Sequence, residues 1–261
     1  IGLDSTGSHN LTATGTLQQD STNYIFGKSS LLSGDDQFET PSSLHPYNIW
    51  NGNGITVSGW FKLLASSNDW ATIFEFHKNG TYRISVAKNG SSNTLWYGKN
   101  VLENYNEFTT NTTIFNDIWH HIVLSIDTSG NAIIYIDNIA EPTRSGFTLD
   151  STYTDLIISN SDAGSSLRKI KGNIDDFRIY NRVLSAAEVE KLYNQKYIVT
   201  VASLNNNSNI SSITGVEKSY NIPKIIISYN RIIGYSYGSG GDNTQPGNSG
   251  CAIIRYNYYN E

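Results

Sequence analysis

The chain has 261 residues with 18 Lys or Arg and 23 Asp or Glu, so its formal net charge at pH 7 is -5. This acidic balance disfavours nucleic acid or an anionic membrane as the main partner, because both reward a basic surface. Its apolar runs fall short of the roughly 18 residues of a membrane span, and a single cysteine, Cys251, excludes an internal disulfide framework. We therefore expect no membrane insertion and a fold stabilised by its packed core.

Short runs rich in β-branched and aromatic residues predict strands. The clearest are residues 71–77, 82–86 and 155–159. The dipeptides Asn79-Gly80 and Asn89-Gly90 adopt left-handed backbone at low cost, so each predicts a hairpin tip between such strands. The chain is therefore expected to be mostly β.

Residues 171–189 join a predicted strand to a predicted helix. The β-prone stretch ends before Ser185-x-x-Glu188, which precedes an apolar run. That spacing is typical of a capping box, in which the serine and the glutamate satisfy the first N–H groups of a helix. The sequence therefore predicts one short helix near residues 186–195.

The same run closely resembles the closing signature of laminin-G-like, concanavalin-A-like jelly-roll domains, in which a G-x-I-D-D/E strand precedes an R-I-Y-N-R-x-L-S turn and a short helix. Other segments are similar to this family's motifs in the expected order: 4–7 to its D-x-x-G turn, 32–38 to an early strand, 54–62 to the first long core strand and 118–138 to a W-H-H-V hairpin with its tip at 128–131. The resemblance covers residues 1 to about 197. It implies an all-β, two-sheet antiparallel jelly-roll sandwich. Because the chain opens within the first motif and contains no Met, we expect it to be part of a longer product.

The chain changes character after residue 197. A polar tract predicts a linker or exposed loop at 198–212, and three apolar runs within 213–261 predict a β appendage. The glycine-rich ending, 238–256, resembles the endings of structural proteins from phages and large DNA viruses. We expect this appendage to pack on a partner or on another copy of the chain, because about sixty residues do not readily form their own core.

Strand alternation predicts which residues fill the core of the sandwich. The predicted core residues are Trp60, Phe61, Phe74, Phe76, Trp119, Val123, Ile134, Ile136, Phe177 and Ile179.

A polar sheet face is the first candidate for carbohydrate binding. Glu75 and His77 alternate with two phenylalanines, so both project from the face opposite the core. Lys62, Arg83 and Ser85 stand on neighbouring predicted strands and add groups that bind sugar hydroxyls. The alternative is an ordinary solvated polar face.

Aromatic residues beside polar turns are the second candidate. Trp70, Trp96 and Tyr97 border turns rich in Asn and Ser. A flat ring in such a position stacks on the apolar face of a sugar. Packing within the loops is the alternative.

Catalysis is not expected. The related laminarinase-type glycosidases carry an E-x-D-x-x-E strand that places their carboxylates for two-carboxylate hydrolysis, and this sequence has no such triplet. His120 and His121 are adjacent in a strand, so they point to opposite faces and do not readily bind one metal ion.

One structural calcium ion is implied by the resemblance, because laminin-G-like domains often hold one. The acids within the resembled motifs are Asp4, Asp35, Asp36 and Asp175. We expect Asp175 to share a face with Phe177, where a carboxylate needs a cation or backbone N–H groups as partners. Simple capping of turns by these aspartates is the alternative.

The sequence leaves three functions open. The first is a non-enzymatic, lectin-like attachment module on a virion or phage surface that binds glycans or neighbouring coat proteins. The second is a carbohydrate-binding accessory module of a secreted enzyme or adhesin. The third is an assembly domain that binds no sugar. The glycine-rich ending and the missing catalytic triplet favour the first, with the protein at a virion surface or outside the cell.

Overall fold

A computed structural model describes residues 12–14, 18–26, 29–34, 37–39, 45–78, 82–101, 104–159, 168–195, 199–201 and 252–254. The chain divides into two compact units, residues 1–193 and 194–261. The described part of the first unit contains two seven-stranded sheets whose strands pair antiparallel. This confirms the predicted all-β sandwich.

We call the two sheets the front sheet and the back sheet. In spatial order, the front sheet contains β1 (Thr12–Thr14), β4 (Gln37–Glu39), β13 (Tyr153–Ile158), β6 (Thr72–Lys78), β7 (Tyr82–Lys88), β8 (Thr94–Val101) and β9 (Asn104–Thr113). The back sheet contains β12 (Ile139–Ala140), β11 (Ala132–Ile136), β10 (Trp119–Ile126), β5 (Ile55–Leu63), β14 (Gly172–Tyr180), β3 (Ser29–Leu32) and β2 (Gln18–Asp20). Two helices, α1 (Pro46–Trp50) and α2 (Ala186–Asn194), accompany them.

The main hydrophobic core lies between the two sheets. Alternating residues of the central strands, among them Phe74 and Phe76 of β6 and Phe61 of β5, are at most 1% exposed. The ring of Phe74 meets that of Phe177 from β14 edge-on, with 6.3 Å between centroids. One face of each sheet is therefore buried against the other, as the alternation predicts.

Three residues predicted for this core lie on the outer face of the back sheet instead. Trp60 precedes Phe61 in β5, so its ring points the opposite way and stacks on Tyr193 of α2, with 5.6 Å between centroids. Val123 packs with Val189 and other residues of that helix in a second apolar cluster, and Trp119 shares the face of Trp60 by register. The prediction that they fill the main core was wrong, because α2 makes a second buried layer. Phe177 and Ile179 are partly buried against the main core.

Helix α2 begins at the predicted capping box. The Ser185 backbone N–H donates to Glu188 Oε2 at 2.9 Å, and the Ser185 hydroxyl donates to the same oxygen at 2.9 Å. The Arg182 guanidinium also holds both carboxylate oxygens, at 2.7 and 2.9 Å. This guanidinium, together with the two Ser185 groups, lowers the pKa of Glu188 to about 2. Helix α1 was not predicted, since its five residues are too few to show a helical period.

A β-bulge in β14 changes which residues share a face. Asp175 pairs with Trp60 and Arg178 with Ser58, so an extra residue is inserted between the two pairs. Asp176 takes that place with a φ of 48°. The expectation that Asp175 and Phe177 share a face was therefore wrong: Asp175 is on the outer face, and Phe177 packs on the core.

Two predicted turns fall within the described residues. Gly90, with a φ of 54°, lies in the connection between β7 and β8, and the turn at 128–131 joins β10 to β11. Asp127 closes the second turn by accepting the N–H groups of Ser129 and Asn131, both at 2.8 Å. The predicted tip at 79–80 lies outside the described residues.

The second unit has two described strands, β15 (Val199–Val201) and β16 (Ala252–Ile254), which pair antiparallel. The predicted linker at 198–212 and most of the appendage at 213–261 lie outside the described residues. The boundaries of the three predicted regions stay a prediction. Within the described ranges, no helix has the length and apolar character to cross a membrane.

Candidate functional site

The outer face of the front sheet carries the predicted polar group. Glu75, Ser85, Gly98 and Glu107 lie side by side across β6, β7, β8 and β9. Their sequence neighbours point into the core, so these positions face away from the back sheet. His77 lies two residues from Glu75 on the same face, and Arg83 is its register partner on β7.

The centre of this face is buried. Glu75 is 0% exposed, and its Oε2 accepts a hydrogen bond from the Ser85 hydroxyl at 3.0 Å. Ile157 and Ala87, which flank this pair, are almost fully buried as well. The alternative of a solvated polar face therefore does not hold at Glu75, and its carboxylate is not open to a ligand in this conformation.

His77 lies near the end of β6. Its Nδ1 is 3.9 Å from Asp155 Oδ2, and that oxygen also accepts the Thr154 hydroxyl at 2.8 Å. The Asp155 side chain remains 28% exposed. The pair can therefore supply polar contacts to a ligand that reaches this end of the two strands.

Trp70 and Trp96 form the aromatic part of the site. Their rings stand edge-on, with centroids 5.9 Å apart and planes at 89°. Trp70 is 42% exposed, whereas Trp96 is 7% exposed. Trp96 lies over Gly98, where a Cβ atom would come within 2.8 Å of Trp96 Cζ2. Glycine at 98 thus leaves room for the ring that supports Trp70.

Trp70 has an uncommon backbone conformation. Its φ is 60°, in the left-handed region that bulky residues rarely occupy. Such a conformation costs about 1 to 2 kcal/mol and persists only where the surroundings enforce it. Strained backbone of this kind clusters at active sites and ligand-binding sites, so Trp70 is a candidate for such a site.

The loop that carries Trp70, residues 64–71, is held firmly. The buried Lys88 ammonium donates to the carbonyls of Ala65 and Ser67, each at 2.9 Å. The Ala71 carbonyl accepts the Lys88 backbone N–H at 2.9 Å. These bonds fix the loop on both sides of Trp70, so the ring is presented by a rigid base.

Tyr97 does not belong to this surface. It is 2% exposed and faces the core, where it stacks on Phe147 with 6.1 Å between centroids. Burial of the phenol raises its pKa. Trp96 and Tyr97 are consecutive in β8, so only one of them can face outward. Tyr97 therefore offers no ring face to a sugar.

Asp175 is held by backbone N–H groups. Its Oδ2 accepts the N–H groups of Ile25 and Phe26, both at 2.7 Å, and Oδ1 accepts that of Asp176 at 2.8 Å. Burial raises the pKa of this carboxyl despite the three bonds. Of the two partners foreseen for Asp175, the structure shows the N–H groups.

The other predicted calcium ligands, Asp4, Asp35 and Asp36, lie outside the described residues. Among the residues that are described, no three His, Cys, Asp or Glu side chains cluster as metal ligands would. Calcium therefore stays a prediction about the undescribed positions.

His120 and His121 point to opposite faces, as predicted. His120 Nδ1 is 2.6 Å from Asp137 Oδ2. His121 Nε2 is 2.9 Å from Ser58 Oγ, and its ring lies 4.9 Å from that of Trp60. Each ring thus has its own contacts in the back sheet.

Comparison with protein families identifies the chain. Residues 32–190 match the family model Laminin_G_3, described as the concanavalin A-like lectin/glucanases superfamily. The chain belongs to this family. The match spans more than half of its 261 residues, which also confirms the resemblance drawn from the closing motif. No curated protein matches the chain.

Solved structures with the same fold include binding domains. Domain 4 of AbnA, a GH43 extracellular arabinanase from Geobacillus stearothermophilus solved with arabinotriose, is 21% identical, with a TM-score of 0.59 over 74% of this chain and 92% of that one. The binding domain of botulinum neurotoxin DC, solved with rat synaptotagmin II, is 17% identical, with a TM-score of 0.56 over 78% and 51%. A structure of botulinum neurotoxin type C, whose cell entry depends on two ganglioside molecules, is 18% identical, with a TM-score of 0.55 over 78% and 52%. At these identities the likeness establishes the fold, and the chain spans about half of the neurotoxin domains.

Proposed function

We propose that this protein is a non-enzymatic glycan-binding module and that sugars bind at Trp70. The observation that carries the proposal is the exposed ring of Trp70, which stands on a strained backbone and is supported edge-on by Trp96. Sugar rings have apolar faces that stack on flat aromatic side chains. The arabinotriose bound by the AbnA domain and the gangliosides required by neurotoxin type C support a role for this fold in saccharide recognition.

Binding without hydrolysis is supported by the chemistry of the front sheet. Glu75 is fully buried and hydrogen-bonded to Ser85. The sequence lacks the E-x-D-x-x-E strand of related hydrolases. Sustained release of reducing ends from a β-glucan by the purified chain, lost in Glu75→Gln, would contradict this proposal.

The biological setting is also a proposal. The glycine-rich ending supports a virion or phage surface protein in which residues 213–261 contact a partner or another copy of the chain. An accessory module of a secreted enzyme or adhesin is the alternative. Deletion of 213–261 should leave the first unit folded and weaken incorporation into a particle. Unchanged incorporation would remove the assembly role.

The binding proposal is tested by titrating the purified chain against a glycan panel. Trp70→Ala should weaken binding by about tenfold or more, the loss expected when one stacked aromatic contact of 1 to 1.5 kcal/mol and its buried area are removed. Ile139→Ala is the matched control, because Ile139 is 73% exposed and lies in β12 at the edge of the back sheet. Equal binding by wild type and Trp70→Ala would exclude Trp70 as the platform.

A further inference from the structure

Strand β9 presents two polar side chains beside Trp96. Thr109 is the register partner of Trp96, and Glu107 is the partner of Gly98, over which the Trp96 ring lies. Phe108 stands between them and packs on the main core, so Glu107 and Thr109 point outward on the face that carries Trp96. Side chains directly opposite on antiparallel strands have Cβ atoms about 5 Å apart. Thr109 therefore lies within contact range of Trp96.

Both side chains are open to a ligand. Glu107 and Thr109 are exposed, and neither side chain has a hydrogen-bonding or ionic partner among the residues that the structure describes. An ionised carboxylate accepts hydrogen bonds, and a threonine hydroxyl both donates and accepts them. Glu75, in the same row as Glu107, is by contrast 0% exposed. The accessible polar groups of this face that suit sugar hydroxyls are thus on β9, beyond Trp96.

Trp70 approaches Trp96 from the other side of β8. The Ala71 carbonyl accepts the Lys88 backbone N–H, so the chain next to Trp70 runs beside β7. The Trp70 ring lies against the turn between β7 and β8, since a Cβ atom on Gly90 would meet its Cζ2 at 3.5 Å. The strands follow in space as β6, β7, β8 and β9. The Trp70 ring, Trp96 and β9 therefore follow one another across the sheet.

The Trp70 end of this row has a fixed backbone. The Asn68 N–H donates to the Lys169 carbonyl at 3.1 Å. The Thr72 N–H donates to the Arg168 carbonyl at 3.3 Å. These bonds lie two residues before and two residues after Trp70, and β9 belongs to the sheet itself. The separation between the Trp70 loop and the β9 side chains is therefore set by the fold.

The row is longer than a single sugar. The centroids of Trp70 and Trp96 are 5.9 Å apart. Thr109 lies one strand farther, so a ligand that stacks on Trp70 and reaches Thr109 spans roughly 10 Å, more than one pyranose or furanose ring covers. Trp96, which is 7% exposed, and Gly98, which has no side chain, leave a low floor between the two ends. A ligand along this floor meets an aromatic ring first and polar groups next.

We infer that the glycan bound at Trp70 is a neutral oligosaccharide of at least two sugars, whose second sugar hydrogen-bonds through its hydroxyls to Glu107 and Thr109. This inference rests on the proposed function, because the first sugar stacks on Trp70. Hydroxyls that donate to the Glu107 carboxylate make charge-assisted bonds, which are stronger than neutral ones. The same negative charge repels a carboxylate or sulfate on the second sugar. Glu107 therefore selects a neutral sugar at this position.

The test measures the affinity of the full chain for two series of sugars by titration calorimetry. One series is arabinose, arabinobiose and arabinotriose; the other is galactose, galactobiose and galactotriose. We expect the disaccharide of at least one series to bind about tenfold more tightly than its monosaccharide, the ratio given by one charge-assisted hydrogen bond. Digalacturonic acid, which has carboxylates in place of the hydroxymethyl groups of galactobiose, should bind more weakly than the better-bound disaccharide. Raising the salt concentration from about 0.05 M to about 0.3 M should narrow that difference, since exposed charges are screened.

Variants assign the second sugar to β9. Thr109→Val and Glu107→Gln keep the side-chain shapes and remove the hydroxyl and the charge. Each should weaken disaccharide binding by about three- to tenfold and leave monosaccharide binding unchanged, because the monosaccharide contacts Trp70 alone. Thr109→Ser should keep the wild-type affinity. The matched controls are Thr143→Val, at an exposed position beside β11, and Glu190→Gln, at an exposed position on α2. Unchanged melting temperatures show that the variants are folded.

The outcomes distinguish this inference from the proposed function. If the members of each series bind equally and Trp70→Ala abolishes their binding, the second sugar has no site and glycan binding at Trp70 stands. If no sugar of either series binds, the inference fails, and the glycan panel decides the proposed function by itself. The inference is also overturned if Thr109→Val weakens the monosaccharide as much as the disaccharide, or if digalacturonic acid binds as tightly as the better-bound disaccharide.

Discussion

Trp70 stands edge-on to Trp96, with ring centroids 5.9 Å apart, and it does so from a left-handed backbone. The two residues come from different parts of the front sheet: Trp96 is in β8, and Trp70 is in the loop before β6. Trp96 is itself seated over Gly98. The exposed ring of Trp70 thus packs against Trp96, which in turn packs against the sheet backbone at Gly98.

Two substitutions of Trp70 separate the strain in its backbone from the contacts of its ring. Alanine retains the cost of a positive φ, whereas glycine does not. We expect Trp70→Gly to be more stable than Trp70→Ala by about 0.5 to 1 kcal/mol, the reverse of the order in a regular strand. Both variants should lose glycan binding. Urea unfolding measures the difference, and an alanine variant as stable as the glycine variant would show that position 70 is unstrained.

Gly98 is expected to tolerate no side chain. In Gly98→Ala the new Cβ would meet Trp96 Cζ2 at 2.8 Å and the Asn106 carbonyl oxygen at 2.9 Å. We expect a loss of about 1 to 3 kcal/mol in the free energy of unfolding, with weaker glycan binding because Trp96 must move. Adding Trp96→Leu should recover part of the stability and none of the binding. Wild-type stability in Gly98→Ala would contradict this packing.

The Glu188 carboxylate makes the stability of the α2 region depend on pH. Its folded pKa, about 2, lies below the ordinary value of 4.5, so its contribution is present above pH 4.5 and disappears as the pH falls through about 2. Glu188→Gln should therefore lower the melting temperature at pH 7 and have little effect near pH 2. Glu190→Gln, an exposed position on the same helix, serves as the control. An equal shift at both pH values would exclude the carboxylate as the cause.

Asp175 should show the opposite dependence on pH. Burial raises its pKa above the ordinary value of 3.8. Between pH 3.8 and the raised value, the native state therefore holds a proton more tightly than the unfolded state does. The contribution of Asp175 to stability therefore falls as the pH rises. Asp175→Asn should cost about 1 to 3 kcal/mol at neutral pH, because an amide N–H₂ then faces a backbone N–H. The difference in free energy of unfolding between wild type and Asp175→Asn should widen as the pH is lowered towards 3.8. A difference that narrows would contradict the raised pKa.

Calcium remains to be tested at the undescribed aspartates. If Asp4, Asp35 and Asp36 hold an ion, EDTA should lower the melting temperature, since a ligand bound only to the native state stabilises it. Asp35→Asn with Asp36→Asn should abolish the effect of EDTA, whereas Asp175→Asn should preserve it, because Asp175 already accepts three N–H groups. Identical melting curves with EDTA and with millimolar Ca²⁺ would exclude the ion.

Part of the geometry around the predicted site could be read from the sequence, because strand alternation is a local signal. Alternation in β6 placed Glu75 and His77 on one face, as the register confirms. Nothing local indicated that Glu75 is buried, or that Trp70 has a φ of 60°. The assignment of Tyr97 to the surface failed because turn-bordering composition does not say which of two consecutive aromatic residues faces outward.

The amino-acid sequence by itself determined the fold class, the closing strand and helix, and the capping box at Ser185 and Glu188, because each depends on residues a few positions apart. The tertiary structure alone decided that Trp60 packs under α2, that a bulge at Asp176 turns Asp175 and Phe177 to opposite faces, and that residues 168–171 hold the Trp70 loop. These relationships join residues as far apart in the chain as Trp60 and Tyr193 or depend on one inserted residue. Periodicity carries no information about either, since it describes each strand separately and the packing of one segment against another is settled only when the whole core forms.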